Sequence, residues 1–187
     1  MRFGLAFAFA VMTASGASAQ VTELEAPGIL APTGDPGCMT MTTADTRLSP
    51  PDLALGVLAC GKAGNWDAAA ELYILMLLRS DFDVRRVVDA TAHQAGQVLT
   101  LQLDESQSEA DRASLGEAIR RFADPTTTQR DILCQMLQTS GVPQHDPSWM
   151  IQHGMAAFTA LEGDGLVPGF DPAAGWEQVM RETVACQ

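Results

Sequence analysis

Helix-initiation signals recur along almost the whole chain, and no segment shows the period-two alternation that is typical of a β-strand. Ser49 and Asp52 have the pattern of a capping box, with Pro50 and Pro51 in the first turn of the helix that Ser49 caps. Three aspartates also stand immediately before a proline, a pair that suits the N-cap and first position of a helix: Asp124-Pro125, Asp146-Pro147 and Asp171-Pro172. The sequence therefore predicts an all-α fold, a compact bundle or array of about seven helices.

The same signals, with glycine and proline as stops, predict approximate bounds for the helices. The first four helices cover about 50–60, 66–79, 83–101 and 106–122. One further helix follows each of the three Asp-Pro pairs, and these helices end before Gly141, at Gly163 and close to Cys186. Asn65 is the predicted N-cap of the second helix, and Ser106 with Glu109 is the predicted capping box of the fourth. In the third helix, apolar spacing predicts a buried stripe of Val84, Val88, Thr91, Ala95 and Val98.

The first nineteen residues have the pattern of a secretory signal peptide. Arg2 supplies a positive charge, residues 3–12 are apolar, and Ala17-Ser18-Ala19 is a small-x-small cleavage site. Cleavage after Ala19 would leave Gln20 as the N-terminus of a periplasmic or secreted protein. The alternative is an uncleaved N-terminal anchor. No later apolar run is long enough to span a bilayer, so we expect no membrane span after cleavage.

The remaining chain divides by composition into two parts. Residues 20–48 contain Pro, Gly and Thr without a sustained period, which predicts an irregular arm. Residues 49–187 carry all the helix signals and are predicted to form a single helical domain.

Four cysteines in an exported chain predict two disulfide bonds. Of the three pairings that four cysteines allow, we favour Cys38–Cys60 and Cys134–Cys186, because each joins neighbours along the sequence. The second bond would hold the last helix on the fifth. No Cys-x-x-Cys motif is present, so neither a zinc knuckle nor a thioredoxin-type site is indicated.

The charge balance restricts the class of partner. The chain has 23 acidic and 11 basic residues, a net charge of −12. This excess argues against binding to nucleic acid or to anionic lipid, which need surfaces rich in Lys and Arg. It is compatible with a basic protein partner, and solubility alone is the alternative explanation.

Residues 54–73 (ALGVLACGKAGNWDAAAELY) resemble one helical hairpin of the tetratricopeptide family. The matching residues are Leu55-Gly56, Gly64-Asn65-Trp66-Asp67, Ala69 or Ala70, and Tyr73. No second copy follows at a period of 34 residues. The resemblance implies a binding scaffold rather than an enzyme, and small residues at a tight helix crossing are the alternative source of this string.

Asp89 and His93 are one candidate group for chemistry. They lie four residues apart on the polar face of the predicted third helix, a spacing at which they could form half of a metal site. A third ligand is not evident, and the alternative is a solvated polar face.

The segment 143–158 is the other candidate, because it is dense in Trp, Met, His and Gly. His145, Asp146 and His153 are candidate catalytic residues, and Trp149 with His153 could line a ligand cleft in which the indole stacks and the imidazole donates a proton. The alternative is an ordinary core stripe with these two side chains at its edge. Gly154, in the middle of the predicted sixth helix, indicates a close helix crossing.

No sequence motif of a known hydrolase, nucleotide site or metal site is present, and no cofactor is implied. We therefore expect an exported, soluble helical protein-interaction module. Its sharpest form is an immunity-type or inhibitor protein that neutralises a basic protein partner. The alternative is a small periplasmic hydrolase or metal-binding protein centred on His145 and His153.

Overall fold

The computed structural model describes residues 28–123, 128–159 and 163–186. The predicted signal peptide, its cleavage site and the Asp124-Pro125 cap lie outside these ranges. The α-helices are α1 (Pro50–Lys62), α2 (Trp66–Arg86), α3 (Ala95–Glu105), α4 (Glu109–Ala123), α5 (Gln129–Ser140), α6 (Ser148–Ile151) and α7 (Pro172–Thr183), with 3-10 helices at Met41–Thr43, Ala90–Gln94 and Met155–Phe158. The only β-type pairing in the described ranges is an isolated bridge between Val87 and Leu166. The predicted all-α fold is confirmed.

Helix α2 is the centre of the structure, since α1, α4 and α7 all pack against it. Its side chains Leu72, Leu75, Met76 and Phe82 are completely buried. Helices α1 and α2 are joined by three residues and form a helical hairpin. A Cβ atom on Gly56 would lie only 2.8 Å from Leu72 Cδ1, so the glycine lets the two helices approach closely. The hairpin covers the residues that resemble a tetratricopeptide unit, and membership of that family stays a prediction.

Most of the predicted caps are present. Side chains at the starts of α1, α2 and α7 accept hydrogen bonds from backbone N–H groups, namely Ser49 from Asp52, Asn65 from Ala68, and Asp171 from Ala173 and Ala174. The cap of α4 was predicted two residues too early, because Ser108 rather than Ser106 accepts the hydrogen bond, from Asp111 N–H. No helix in the described ranges is both long and apolar enough to cross a membrane.

The described part of the arm, residues 28–48, contains no α-helix and is held to the helices by side chains. The Asp52 carboxylate on α1 accepts hydrogen bonds from the N–H groups of Thr33 and Gly34, at 2.6 and 2.8 Å. On α2, Arg79 Nη1 donates to the carbonyl oxygens of Asp45 and Leu48, at 3.0 and 2.5 Å. Burial lowers the pKa of Arg79 to about 10, so its guanidinium is still charged at neutral pH.

Both disulfide bonds have the predicted pairing. Cys38 on the arm is bonded to Cys60 on α1, and Cys134 on α5 is bonded to Cys186. Next to the second bond, Nε and Nη2 of Arg130 both donate to the carbonyl oxygen of Val184. The end of α7 is therefore joined to α5 by a covalent bond and by a charge-assisted pair of hydrogen bonds.

The predicted third helix over 83–101 was wrong. Helix α2 continues to Arg86, and the chain then extends before the 3-10 helix and α3. The extension is held by a distant segment, since Val88 N–H donates to Gly165 O and Val167 N–H donates to Arg86 O. Val88, which was predicted in the buried stripe, is 59% exposed.

The predicted sixth helix was also wrong in extent, because α6 is only one turn long. Gly154 after it has extended backbone angles, and the carboxylate of Asp89 accepts a hydrogen bond from Ala156 N–H at 2.9 Å. This contact replaces the hydrogen bond that Ala156 N–H would make to the backbone within a continuous helix. A Cβ atom on Gly154 would lie 2.9 Å from Ala92 Cβ, so the close approach is real, but the neighbour is a 3-10 helix rather than a crossing helix.

Candidate functional site

Two of the predicted site residues, His145 and Trp149, meet at a buried carboxylate that the sequence analysis did not identify. Asp83 lies in the last turn of α2 and is completely buried. Its Oδ2 atom is 2.8 Å from His145 Nε2 and accepts a hydrogen bond from Trp149 Nε1 at 2.7 Å. Because His145 and Trp149 flank the start of α6, this one oxygen holds the short helix against α2.

Arg86 completes the group from the same turn of α2. Its Nε donates to Asp83 Oδ1 at 2.7 Å, and its Nη2 donates to the carbonyl oxygen of His145 at 2.8 Å. The guanidinium also lies 4.9 Å from the ring centre of Phe82, in a cation–π arrangement. The carboxylate is therefore surrounded by donors, as a buried charge requires. We call Asp83, Arg86, His145 and Trp149 the Asp83 network.

The carboxylate and the imidazole of the Asp83 network are closed to solvent. The side chains of His145 and Asp83 are 1% and 0% exposed. The other ring nitrogen of His145, Nδ1, is buried without a hydrogen-bond partner within the described residues. A general acid or base must reach a proton on its substrate directly or through one water. The geometry therefore favours a structural role for His145 over a catalytic one.

The other residues of the segment have separate contacts. Asp146 is exposed, and its Oδ1 accepts the N–H of Ser148 at 2.8 Å, which helps to start α6. His153 lies after α6 and is half-buried. Trp149 is 2% exposed and its indole N–H is bound to Asp83, so it offers no face on which a ligand could stack. The structure does not bring His145, Asp146 and His153 to one opening.

Asp89 and His93 do not converge on a common ligand position. The Asp89 carboxylate accepts hydrogen bonds from the hydroxyl and N–H of Thr91 and from Ala156 N–H, and these bonds, that of the Thr91 hydroxyl first, lower the pKa of Asp89. His93 Nε2 is 2.9 Å from the carbonyl oxygen of Val87 and donates to it. The part of the chain that the structure describes contains no group of three or more His, Cys, Asp or Glu side chains that could hold a metal ion.

Two of the surface grooves formed by the described residues lie away from Asp89 and His93. One, of about 420 Å³, lies among α2, α4, α5 and α7 and is lined mainly by Ile74, Ile119, Phe122 and Leu133. The other, of about 440 Å³, is formed by the loop 164–172 together with Arg86. Its position connects it to the Asp83 network through the guanidinium of Arg86.

The arginines of the described residues are all engaged inside the chain. Six form ion pairs with carboxylates (Arg47, Arg85, Arg86, Arg120, Arg121 and Arg181) and three donate to carbonyl oxygens (Arg79, Arg112 and Arg130). In contrast, the side chains of Asp104, Glu105, Glu109 and Asp131 have no hydrogen-bond or ion-pair partner among the described residues. The acidic excess is therefore a property of the surface.

Comparisons with protein-family models, with curated proteins and with solved structures find no match to this chain. Its function is therefore argued from its own geometry and charge.

Proposed function

We propose that this chain is an exported helical protein-interaction module that binds a basic protein partner, as an immunity-type protein or an inhibitor does. The observation that carries the proposal is the arrangement of charge. The described arginines are engaged within the chain, by carboxylates or by carbonyl oxygens, while unpaired carboxylates remain on the surface. Such a surface attracts a positively charged protein and repels nucleic acid and anionic lipid.

The unpaired acids are concentrated between α3 and α4. Asp104 and Glu105 are the last two residues of α3, and Glu109 is the first residue of α4. Arg112, the nearest base in sequence, donates to the carbonyl oxygens of Asp104 and Gln107 and leaves the carboxylates uncompensated. Complementary charge of this kind increases association rates and selects partners of opposite sign.

Two features support an exported location. The disulfide bonds Cys38–Cys60 and Cys134–Cys186 are of the type that persists in oxidising compartments. The leader pattern of the first nineteen residues points to the same compartments.

An enzyme centred on His145 and His153 is supported less well. The ring of His145 is enclosed with Asp83 in the core, and Trp149 covers the same carboxylate. A substrate would have to open α6 away from α2 before it could reach the imidazole.

The proposal is tested by affinity capture with the oxidised chain as bait, using the exported proteins of the source as prey and a salt gradient for elution. We expect one stoichiometric partner with a basic isoelectric point, whose affinity falls as the salt concentration rises. Bait that carries Asp104→Asn, Glu105→Gln and Glu109→Gln should retain less of it. Bait with Asp45→Asn, Glu117→Gln and Glu177→Gln is the control, because the same charge is removed from acids that already have arginine partners. An acidic partner, or binding that is insensitive to salt, would contradict the proposal.

A further inference from the structure

The exposed apolar side chains of this protein are concentrated around the Val87–Leu166 bridge. Among the described residues, seven large apolar side chains are exposed, and four of them belong to three segments that meet here: Val88, Met155, Phe158 and Val167. Exposed apolar surface that is grouped in this way is typical of interaction sites.

The backbone explains why these side chains face solvent. Val88 N–H donates to Gly165 O and Val167 N–H donates to Arg86 O, so the two extended segments form one isolated antiparallel bridge. Side chains alternate along such segments. Val87 is buried against the core, and Val88 and Val167 therefore lie on the opposite, outer face. The bridge fixes both valines in an exposed position.

The 155–158 segment is attached to the same place by Asp89, which immediately follows Val88. The Asp89 carboxylate binds Ala156 N–H, and the hydroxyl of Thr91 accepts from Met155 N–H at 2.8 Å. Met155 and Phe158 are 64% and 46% exposed. These polar contacts therefore hold Met155 and Phe158 close to Val88.

The groove of about 440 Å³ lies beside Val167, and its walls are already in place. Phe170, which lines it, packs edge-on against the core residue Phe82, with ring centres 5.5 Å apart. Arg86 lines the inner side, but its charge is compensated by Asp83. A groove with fixed walls loses little conformational freedom when a side chain enters it.

The rim of the groove is acidic. Asp164 lines it, and Asp171 lies between two further lining residues, Phe170 and Pro172. Both carboxylates are exposed and accept only N–H groups of their own turns. Arg86 is the only basic side chain in the lining that the structure describes, and it is engaged. The groove therefore combines an apolar interior with uncompensated negative charge.

We propose that this surface, the bridge patch (Val88, Met155, Phe158, Val167 and the groove beside them), docks a segment of the basic partner. This inference rests on the proposed function. An apolar side chain of the partner enters the groove, and a flanking Lys or Arg contacts Asp164 and Asp171. A second copy of this chain is disfavoured as the occupant, because pairing two patches would bring two acidic rims together in a protein of net charge −12.

The test measures binding of synthetic peptides to the oxidised full chain by titration calorimetry at low and moderate salt. The probes are a peptide of alternating lysine and leucine, a lysine–serine peptide and a glutamate–leucine peptide. We expect the lysine–leucine peptide to bind most tightly, because it alone supplies both the apolar side chain and the cation.

Matched variants then locate the site. Val167→Ser and Asp164→Asn should each weaken binding of the lysine–leucine peptide about tenfold, as expected for contacts at the centre of an interface. Leu101→Ser and Asp131→Asn remove an exposed apolar side chain and an exposed charge elsewhere, and should change it less than about twofold. Thermal melting of each variant checks that the fold is intact.

The outcomes separate the two proposals. Equal weakening by patch and control variants would mean binding through net charge, which overturns the bridge patch and leaves the basic partner standing. If no lysine peptide binds at low salt, both proposals fail. If sedimentation shows a dimer that Val167→Ser dissociates, the patch is a self-interface and the inference is wrong.

Discussion

The most informative single residue is Asp83, because three side chains from two parts of the chain each donate a hydrogen bond to its carboxylate. Buried carboxylates are retained only where donors or cations compensate their charge. Here His145, Trp149 and Arg86 provide that compensation. The resulting network links α2 to α6, a helix too short to be stable by itself.

Asp83→Asn should lower the free energy of unfolding by about 3–5 kcal/mol, because the largely buried guanidinium of Arg86 would lose the carboxylate that compensates its charge. The measurement is urea denaturation of the oxidised protein. Asp131→Asn removes an exposed acid without a partner and should stay within about 0.5 kcal/mol of wild type. Equal stability of the two variants would show that the network contributes nothing.

Asp52 should make the stability depend on pH. Burial raises its pKa, but hydrogen bonds from Ser49, Gly34 and Thr33 outweigh burial, so the pKa is lowered overall. A carboxyl whose pKa is lower in the folded state stabilises the fold above the unfolded-state pKa of about 3.9, and this contribution is lost as pH falls through the folded pKa.

The difference in unfolding free energy between wild type and Asp52→Asn should therefore shrink as pH is lowered from 7 towards 3. Comparing the two proteins at each pH removes other titrations, such as that of Glu71, whose pKa is raised by burial and acts in the opposite direction. A difference that is constant with pH would contradict the assignment.

At the scale of elements, α7 shows how a chain end is stabilised. Trp176 and Val179 bury its inner face, and Asp171 caps its start. The Cys134–Cys186 bond closes a loop of 52 residues onto α5, and Arg130 binds the carbonyl of Val184. Terminal helices otherwise fray, because few contacts hold their last turn.

Replacing Cys186 with Ser should destabilise the protein by about 2–4 kcal/mol, because the closed loop no longer restricts the unfolded chain. Hydrogen exchange should become faster in residues 173–186, while α1, α2 and α3 change little. Cys38→Ser is the matched control, and it should loosen the arm rather than α7. Faster exchange throughout the protein in both variants would mean that the bonds do not act locally.

At the scale of the whole molecule, the two disulfide bonds are compatible with an oxidising environment, and the excess of acids gives a net charge of −12. Its described arginines are engaged by carboxylates or carbonyl oxygens of the same chain, while acids such as Glu105 and Asp131 are exposed without such partners among the described residues. Net charge of one sign keeps such a protein dispersed and favours partners of the opposite sign.

Mass spectrometry of the protein from its native compartment should show a chain that starts at Gln20 and lacks four hydrogens relative to the reduced form. This prediction follows from the leader pattern, which signal peptidase would cut after Ala19, and from export to an oxidising compartment, which would close both disulfide bonds. An intact leader, or cysteines that react with an alkylating reagent before reduction, would contradict the export prediction.

Local signals predicted the candidate site only in part. His145 and Trp149 stood out because His and Trp are concentrated near α6. Asp83 and Arg86 did not, since an acid and a base three residues apart look like an ordinary exposed pair on a helix. Their burial depends on α6 and on Phe82, which no short stretch of sequence reveals.

The sequence by itself determined the features whose causes are local. Caps such as Ser49, Asn65 and Asp171 act within one helical turn, and each disulfide joins cysteines that neighbour one another in the chain. These features alone indicated an all-α fold with two covalent links.

Only the tertiary structure decided where the helices stop and what the middle segments do. The chain leaves α2 after Arg86 because a loop almost eighty positions away hydrogen-bonds to Arg86 and Val88. Helix α6 ends after one turn because Asp89 binds the backbone at Ala156. A contact between distant segments competes with helical hydrogen bonds of similar strength, so apolar spacing within one segment cannot reveal which of them forms.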